Sequence, residues 1–205
     1  MDTNLQKNPE MVHKRRTASK DECKIDLKKE LPVLFEAFSN AHKTFENEVR
    51  QTPPLARARG FEASLLNSKM IQSIQEFFPE NWKFGKYKRF TLRVNGYIVL
   101  FKKFDKKGMP MNIKTQRTDA ISNQQVMPLF DDSTLVYEPI LFFGYEKNRI
   151  GEILNPRLVY IDESQVQWVI NDDSVSVTRF LNTKEEETTV LPKLKPTVAK
   201  KASGQ

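Results

Sequence analysis

The stretch that decides the fold is residues 88–104, KRFTLRVNGYIVLFKKF. Polar and apolar residues alternate up to Val94, which is the period of a β-strand with one buried face. Asn95-Gly96 follows, and this pair favours a type I′ turn because both residues tolerate a positive φ. The apolar run that begins at Tyr97 is the return strand. The stretch therefore predicts an antiparallel β-hairpin with a two-residue turn.

The two-residue turn fixes which residues of the hairpin lie opposite each other. On one face the predicted pairs are Val94 with Tyr97, Leu92 with Val99, and Phe90 with Phe101. We expect this apolar face to be the core side and the other face to be exposed. On that other face the predicted pairs are Arg93 with Ile98, Thr91 with Leu100, and Arg89 with Lys102. Cations directly opposite each other destabilise a sheet, so the Arg89–Lys102 pair is easier to understand if an anion lies between them.

The chain around the hairpin predicts helices before it and strands after it. Apolar residues recur at helical spacing in residues 27–49, and the first helix is expected to begin near Leu31 because Pro32 fits only a first turn. A second helix is predicted over 61–78. After the hairpin, the predicted strands are 109–115, 136–145, 157–161, 166–170 and 174–181, with a short helix at 118–126.

This order of elements predicts an α+β domain over residues 27–182, in which two N-terminal helices pack on a largely antiparallel sheet. Residues 1–25 and 183–205 are predicted to be disordered polar tails. No run approaches the roughly 18 apolar residues that cross a bilayer, so no membrane contact is expected. A single cysteine, Cys23, and the absence of a signal peptide favour a cytosolic protein.

Charge is divided unevenly along the chain, whose formal net charge is +7. Residues 82–107, called here the basic hairpin, contain nine Lys and Arg and one Asp. Residues 131–175, called the acidic half, contain nine Asp and Glu and three basic residues. The basic hairpin suits a nucleic acid or an acidic protein. The chain's own acidic half suits it equally, either within one molecule or in a homo-oligomer.

The residues expected to contact an anionic partner lie in the basic hairpin and in the loop before the second helix. They are Arg57, Arg59, Lys86, Tyr87, Lys88, Arg89, Arg93, Lys102 and Phe104. Tyr87 and Phe104 are candidates for base stacking, because they lie among the cations and outside the predicted core face.

Residues that would carry catalysis are scarce. His13 and His42 have no partners at metal-ligand spacing, and no glycine-rich phosphate loop is present. A metal-dependent nuclease needs an acid two residues from a lysine on a core strand, and the residue at that position before Lys102 is Leu100. We therefore expect no metal and no cofactor, while metal-free cleavage of RNA by hydroxyl and basic groups stays open.

Several segments also carry a resemblance to known proteins. They are Gly96–Lys103, Pro110–Thr115, Phe143–Tyr145 and Pro156–Tyr160. Over about residues 55–170 the chain resembles poorly characterised bacterial proteins encoded in two-gene toxin–antitoxin or defence-type loci. The resemblance implies a bacterial cytosolic protein with a protein partner encoded by a neighbouring gene, and it supplies no catalytic residue.

Two functions of different classes follow from the sequence. The first is a binding protein that engages nucleic acid or an acidic protein through the basic hairpin. The second is a toxin-like enzyme that acts on nucleic acid and is restrained by a partner. The sequence shows no set of residues that would bind a catalytic metal or form a catalytic nucleophile, and this favours the binding protein.

Overall fold

The computed structural model describes residues 13–130, 135–173 and 175. The helices in this part of the chain are α1 (Lys20–Asp26), α2 (Glu30–Val49), α3 (Phe61–Phe77) and α4 (Gln116–Ser122). The strands are β1 (Trp82–Gly85), β2 (Arg89–Val94), β3 (Tyr97–Phe104), β4 (Ile140–Lys147), β5 (Ile153–Asp162) and β6 (Gln165–Asn171). They form one six-stranded sheet in chain order, antiparallel except between β3 and β4. The predicted α+β fold with N-terminal helices and a largely antiparallel sheet is confirmed.

The hairpin has the predicted turn, and the predicted register is confirmed for the three pairs nearest the turn. The three outer pairs are not formed, because β2 and β3 stop pairing beyond Leu92 and Val99, so the predicted Arg89–Lys102 pair is wrong. Asn95 and Gly96 have φ values of 44° and 78°, and Val94 pairs with Tyr97 across the turn. The Asn95 side-chain amide donates to the carbonyl oxygen of Asp26 (2.7 Å), and the Tyr97 hydroxyl donates to the Asp26 carboxylate (2.8 Å). The hairpin is therefore joined to the end of α1.

The expectation that one face of the hairpin is exposed is wrong, because the sheet is buried on both faces. The three N-terminal helices cover the predicted core side, where Phe35 and Phe38 make edge contacts with Phe143 of β4. The chain between β3 and β4, which includes α4, covers the other side and buries Ile98 and Leu100 completely. A parallel strand pair needs such a crossover connection.

The N-terminal segment is more ordered than predicted. All of α1 but its last residue lies within the predicted disordered residues 1–25, and the Ser19 hydroxyl caps the helix by accepting from the Glu22 N–H (3.2 Å). Cys23 of α1 is fully buried in the core, and burial raises the pKa of its thiol to about 12. Residues 1–12 and the tail at 183–205 lie outside the described residues, so those parts of the prediction stay untested.

Three smaller differences concern the ends of elements. The predicted strand at 109–115 is absent, and only Pro110 makes an isolated bridge, to Phe104. The short helix begins at Gln116 with Thr115 as its N-cap, two residues before its predicted start. The predicted strand at 174–181 lies outside the described residues except for Val175, where the prediction is wrong because this residue is helical. None of the described helices has the length and apolar character to cross a membrane.

Candidate anion-binding site

The candidate site lies where β2 and β3 stop pairing with each other. Their pairing runs from the turn only to Leu92 and Val99, after which β2 pairs with β1 and β3 pairs with β4. A cavity of about 260 Å³ lies at this place, and we call it the β2–β3 cleft. Its lining residues are Asn67, Ile71, Tyr87, Lys88, Arg89, Phe90, Leu100, Phe101 and Lys102.

Arg89 and Lys102 line the cleft, and Arg117 lies beside it against the ring of Tyr87. These three cations are called here the cationic cluster. Burial lowers the pKa of the Arg89 guanidinium, and the charge of Arg117 acts in the same direction. Burial also lowers the pKa of the Lys102 ammonium, and Arg89 adds to this effect. Both shifts mean that the positive charges are held close together and partly away from water.

No carboxylate of the described residues forms an ion pair with the cationic cluster. Arg117 donates from Nη2 to the carbonyl oxygen of Pro128 (3.3 Å), while its Nη1 is buried without a hydrogen-bond partner. Half-buried charges are ordinarily paired, because an uncompensated charge out of water is costly. The cluster therefore carries positive charge that no described carboxylate neutralises.

A tight turn between β1 and β2 presents two further side chains to the cleft. Tyr87 and Lys88 have φ values of 59° and 54°, in the left-handed region that residues other than glycine rarely adopt. The turn is held by a hydrogen bond from the Lys86 N–H to the carbonyl oxygen of Leu129 (2.9 Å). Gly85 permits this contact, because a Cβ there would lie 2.5 Å from the same oxygen.

Tyr87 combines exposure with a contact to the cationic cluster. Its side chain is 86% exposed, and the Arg117 guanidinium carbon lies 4.9 Å from the centre of its ring. An exposed aromatic ring beside a guanidinium is a surface on which a planar group can stack. The arrangement therefore offers positive charge and a stacking platform at one place.

The strain at Lys88 provides a test of the turn geometry. Lys88→Gly should raise the free energy of unfolding by up to about 1 kcal/mol, because the left-handed conformation costs about 1–2 kcal/mol and glycine loses about 0.5–1 kcal/mol of entropy. The matched control is Lys106→Gly, because Lys106 is an exposed turn residue whose φ is not positive. This variant should unfold with a free energy lower by about 0.5–1 kcal/mol. Urea unfolding measures both, and equal destabilisation of the two variants would contradict the strained turn.

A second cavity lies against the cationic cluster on the opposite face of the sheet. It shares Arg89, Leu100 and Lys102 with the β2–β3 cleft and is completed by side chains of α4 and the preceding segment. Those further lining residues are Asn112, Thr118, Ile121, Ser122 and Phe142. This second cavity has a volume of only about 10 Å³, so in the described part of the chain the cations are open to a ligand only from the β2–β3 cleft.

Four of the predicted site residues line the cleft: Tyr87, Lys88, Arg89 and Lys102. Arg93 lies apart from them, at the turn end of β2, and forms an ion pair with Glu138. One acid of the acidic half therefore does meet the basic hairpin within the same molecule. Lys86 is half-buried at the base of the turn and does not line the cleft.

The remaining three predicted residues have other positions. Phe104 is 1% exposed and lies under the guanidinium of Arg157 (5.3 Å), so the prediction that it stacks bases is wrong. Arg57 binds the end of α2, donating to the carbonyl oxygens of Val49 (2.8 Å) and Thr52 (2.9 Å). Arg59 is exposed in the same loop and lines neither cavity at the cationic cluster.

The sequence did not identify Arg117, Asn67 or the side chains of α4 as parts of the site. Arg117 has no local signal, because it reaches the cluster only through the crossover connection between β3 and β4. Among the described residues no group of His, Cys, Asp and Glu is placed to hold a metal ion.

No protein-family model matches the chain, and neither the curated proteins nor the solved structures contain a match. The function is therefore argued from the geometry of the cleft.

Proposed function

We propose that the protein binds nucleic acid, holding backbone phosphates in the β2–β3 cleft. The observation that carries the proposal is the cationic cluster, in which Arg89, Lys102 and Arg117 have no acidic partner among the described residues. Arginine and lysine side chains contact phosphate oxygens in protein–nucleic acid complexes and neutralise their charge. The exposed ring of Tyr87 favours nucleic acid over an acidic protein, because only the former brings planar bases.

The proposal predicts binding that depends strongly on salt. With contacts from Arg89, Lys102 and Lys88, the slope of log affinity against log salt should be about −2, since each contact to a single strand contributes about −0.7. Affinity should then fall about 100-fold between about 50 and about 500 mM salt. Fluorescence anisotropy of a labelled oligonucleotide measures this slope.

A pair of double variants separates the cleft from general charge. Arg89→Gln with Lys102→Gln should reduce the slope to about −0.7 and weaken binding at least tenfold at low salt. Lys106→Gln with Lys107→Gln removes the same charge at two exposed residues that line neither cavity, and it should change affinity only slightly. Equal losses in the two double variants, or no binding by the wild type at low salt, would refute the proposal.

Further parts of the proposal rest on sequence alone. A cytosolic location, a protein partner from a neighbouring gene and a homo-oligomer stay predictions. The alternative of a toxin-like enzyme rests on the resemblance, and no arrangement in the described residues favours it. Growth arrest of cells that express the protein without a partner would support the toxin-like enzyme instead.

A further inference from the structure

We propose that the β2–β3 cleft takes a single strand, with a phosphodiester between Arg89 and Lys102 and the adjoining base stacked on Tyr87. This inference rests on the proposed function and deepens it, because it distinguishes single-stranded from duplex nucleic acid.

The first argument is the depth of the cations. Arg89 and Lys102 are half-buried, and their cleft has apolar walls formed by Ile71, Phe90 and Phe101. A volume of about 260 Å³ is slightly below the roughly 300–1,000 Å³ of pockets that enclose a drug-sized molecule, so it suits part of a nucleotide. A duplex is stiff over about 150 base pairs and presents its phosphates on a regular cylinder. A flexible strand can turn one phosphodiester into such a recess, whereas a duplex contacts mainly the rim.

The second argument is the position of Tyr87. Its ring is 86% exposed and contacts Arg117 at 4.9 Å, so much of the ring surface remains open to solvent. Unpaired bases stack on tyrosine rings and guanidinium groups, and this stacking tolerates any base sequence. In a duplex the base faces are already stacked on each other. The Tyr87 ring can therefore stack on a base only in a single strand.

The third argument joins the first two. Tyr87, Arg89 and Lys102 line the same cavity, so a phosphate and a neighbouring base can be engaged together. Cations that track the backbone beside aromatic residues that receive bases are the usual combination in proteins that bind single strands without sequence preference. We therefore expect little dependence on base sequence.

The experiment compares one labelled oligonucleotide of about twelve nucleotides, as DNA and as RNA, with the same strand annealed to its complement. We expect the single strand to bind at least about tenfold more tightly than the duplex at about 100 mM salt. Tyr87→Asn should weaken single-strand binding roughly 5- to 150-fold and leave duplex binding unchanged. Asparagine is chosen because it tolerates the left-handed backbone of this position, so the turn should be preserved.

Two controls make the result decisive. Tyr87→Phe keeps the ring and should bind the single strand more tightly than Tyr87→Asn. Tyr137→Ala removes another exposed tyrosine, outside the cleft, and should have no effect. If duplex and single strand bind equally and Arg89→Gln with Lys102→Gln weakens both, the single-strand inference fails while the proposed function stands. If neither binds, both fail.

Discussion

Lys102→Glu is expected to abolish nucleic-acid binding and at the same time to stabilise the fold. Lys102 lies beside Arg89, and both burial and that neighbouring charge lower the pKa of its ammonium group. A carboxylate in its place would repel a phosphate about 4 Å away by several kcal/mol at an effective dielectric constant of about 20. Affinity should fall more than about 100-fold, since about 1.4 kcal/mol corresponds to a factor of ten.

Stability should change in the opposite direction, because the new carboxylate can pair with Arg89 and removes the repulsion between the two cations. We expect the free energy of unfolding to rise by about 1 kcal/mol, which is within the range seen when surface charges are optimised. The gain stays this small because solvent screens an ion pair at a half-exposed site. Urea unfolding and oligonucleotide anisotropy measure the two effects on one sample. A gain in stability with a loss of binding is typical of a residue retained for function.

The neighbouring residue on β3 provides the matched control. Lys103→Glu makes the same change in net charge one position along the strand, so its side chain leaves the sheet on the opposite face. It does not line either cavity at the cationic cluster, and its substitution should weaken binding only a few-fold. If Lys102→Glu is less stable than the wild type, the repulsion between Lys102 and Arg89 is contradicted. If it binds oligonucleotide as well as Lys103→Glu does, the role of Lys102 in binding is contradicted.

The features that sequence could predict are those decided by neighbouring residues. The turn at Asn95-Gly96 and the register beside it depend on local backbone preference, and the structure confirms the turn and its three nearest pairs. The sequence also indicates that both faces of the sheet are buried. The apolar run from Tyr97 to Phe101 does not alternate with polar residues, which is typical of a strand covered on two sides. The clean alternation of β2 favoured an exposed face instead, although within β2 only Arg93 is exposed.

The features that sequence could not predict depend on distant parts of the chain. The cations expected together on one exposed face of the hairpin are separated in the structure. Arg93 pairs with Glu138, while Arg89 lies near Lys102 and Arg117. Phe104 was expected at the surface because its neighbours are charged, yet the Arg157 side chain covers it. α1 had a signal in Ser19 as its N-cap with acidic residues in the first turn, which the polar composition obscured.

Gly144→Ala is expected to cost at least about 3 kcal/mol, because Gly144 lies opposite Lys102 of β3 with no room for a side chain. A Cβ at this position would lie 1.7 Å from the carbonyl oxygen of Lys102 and 2.9 Å from the Phe104 ring. Overpacking in a core commonly costs about 1–3 kcal/mol, and here the obstacle is backbone that cannot rotate away. Separating the strands would also weaken ladder hydrogen bonds worth about 0.5–1.5 kcal/mol each. Urea unfolding measures the loss.

The control for Gly144→Ala is Gly60→Ala. Gly60 precedes α3 with a φ of 82°, and an added Cβ there meets no atom within 4 Å, so only the left-handed backbone is penalised, by about 1–2 kcal/mol. The two variants therefore separate a steric clash from a conformational cost. Because the clash is with the Lys102 backbone, any Gly144→Ala protein that folds should also bind oligonucleotide more weakly, whereas Gly60→Ala should bind normally. Equal stability losses in the two variants would show that β3 and β4 are not packed as closely at Gly144 as described.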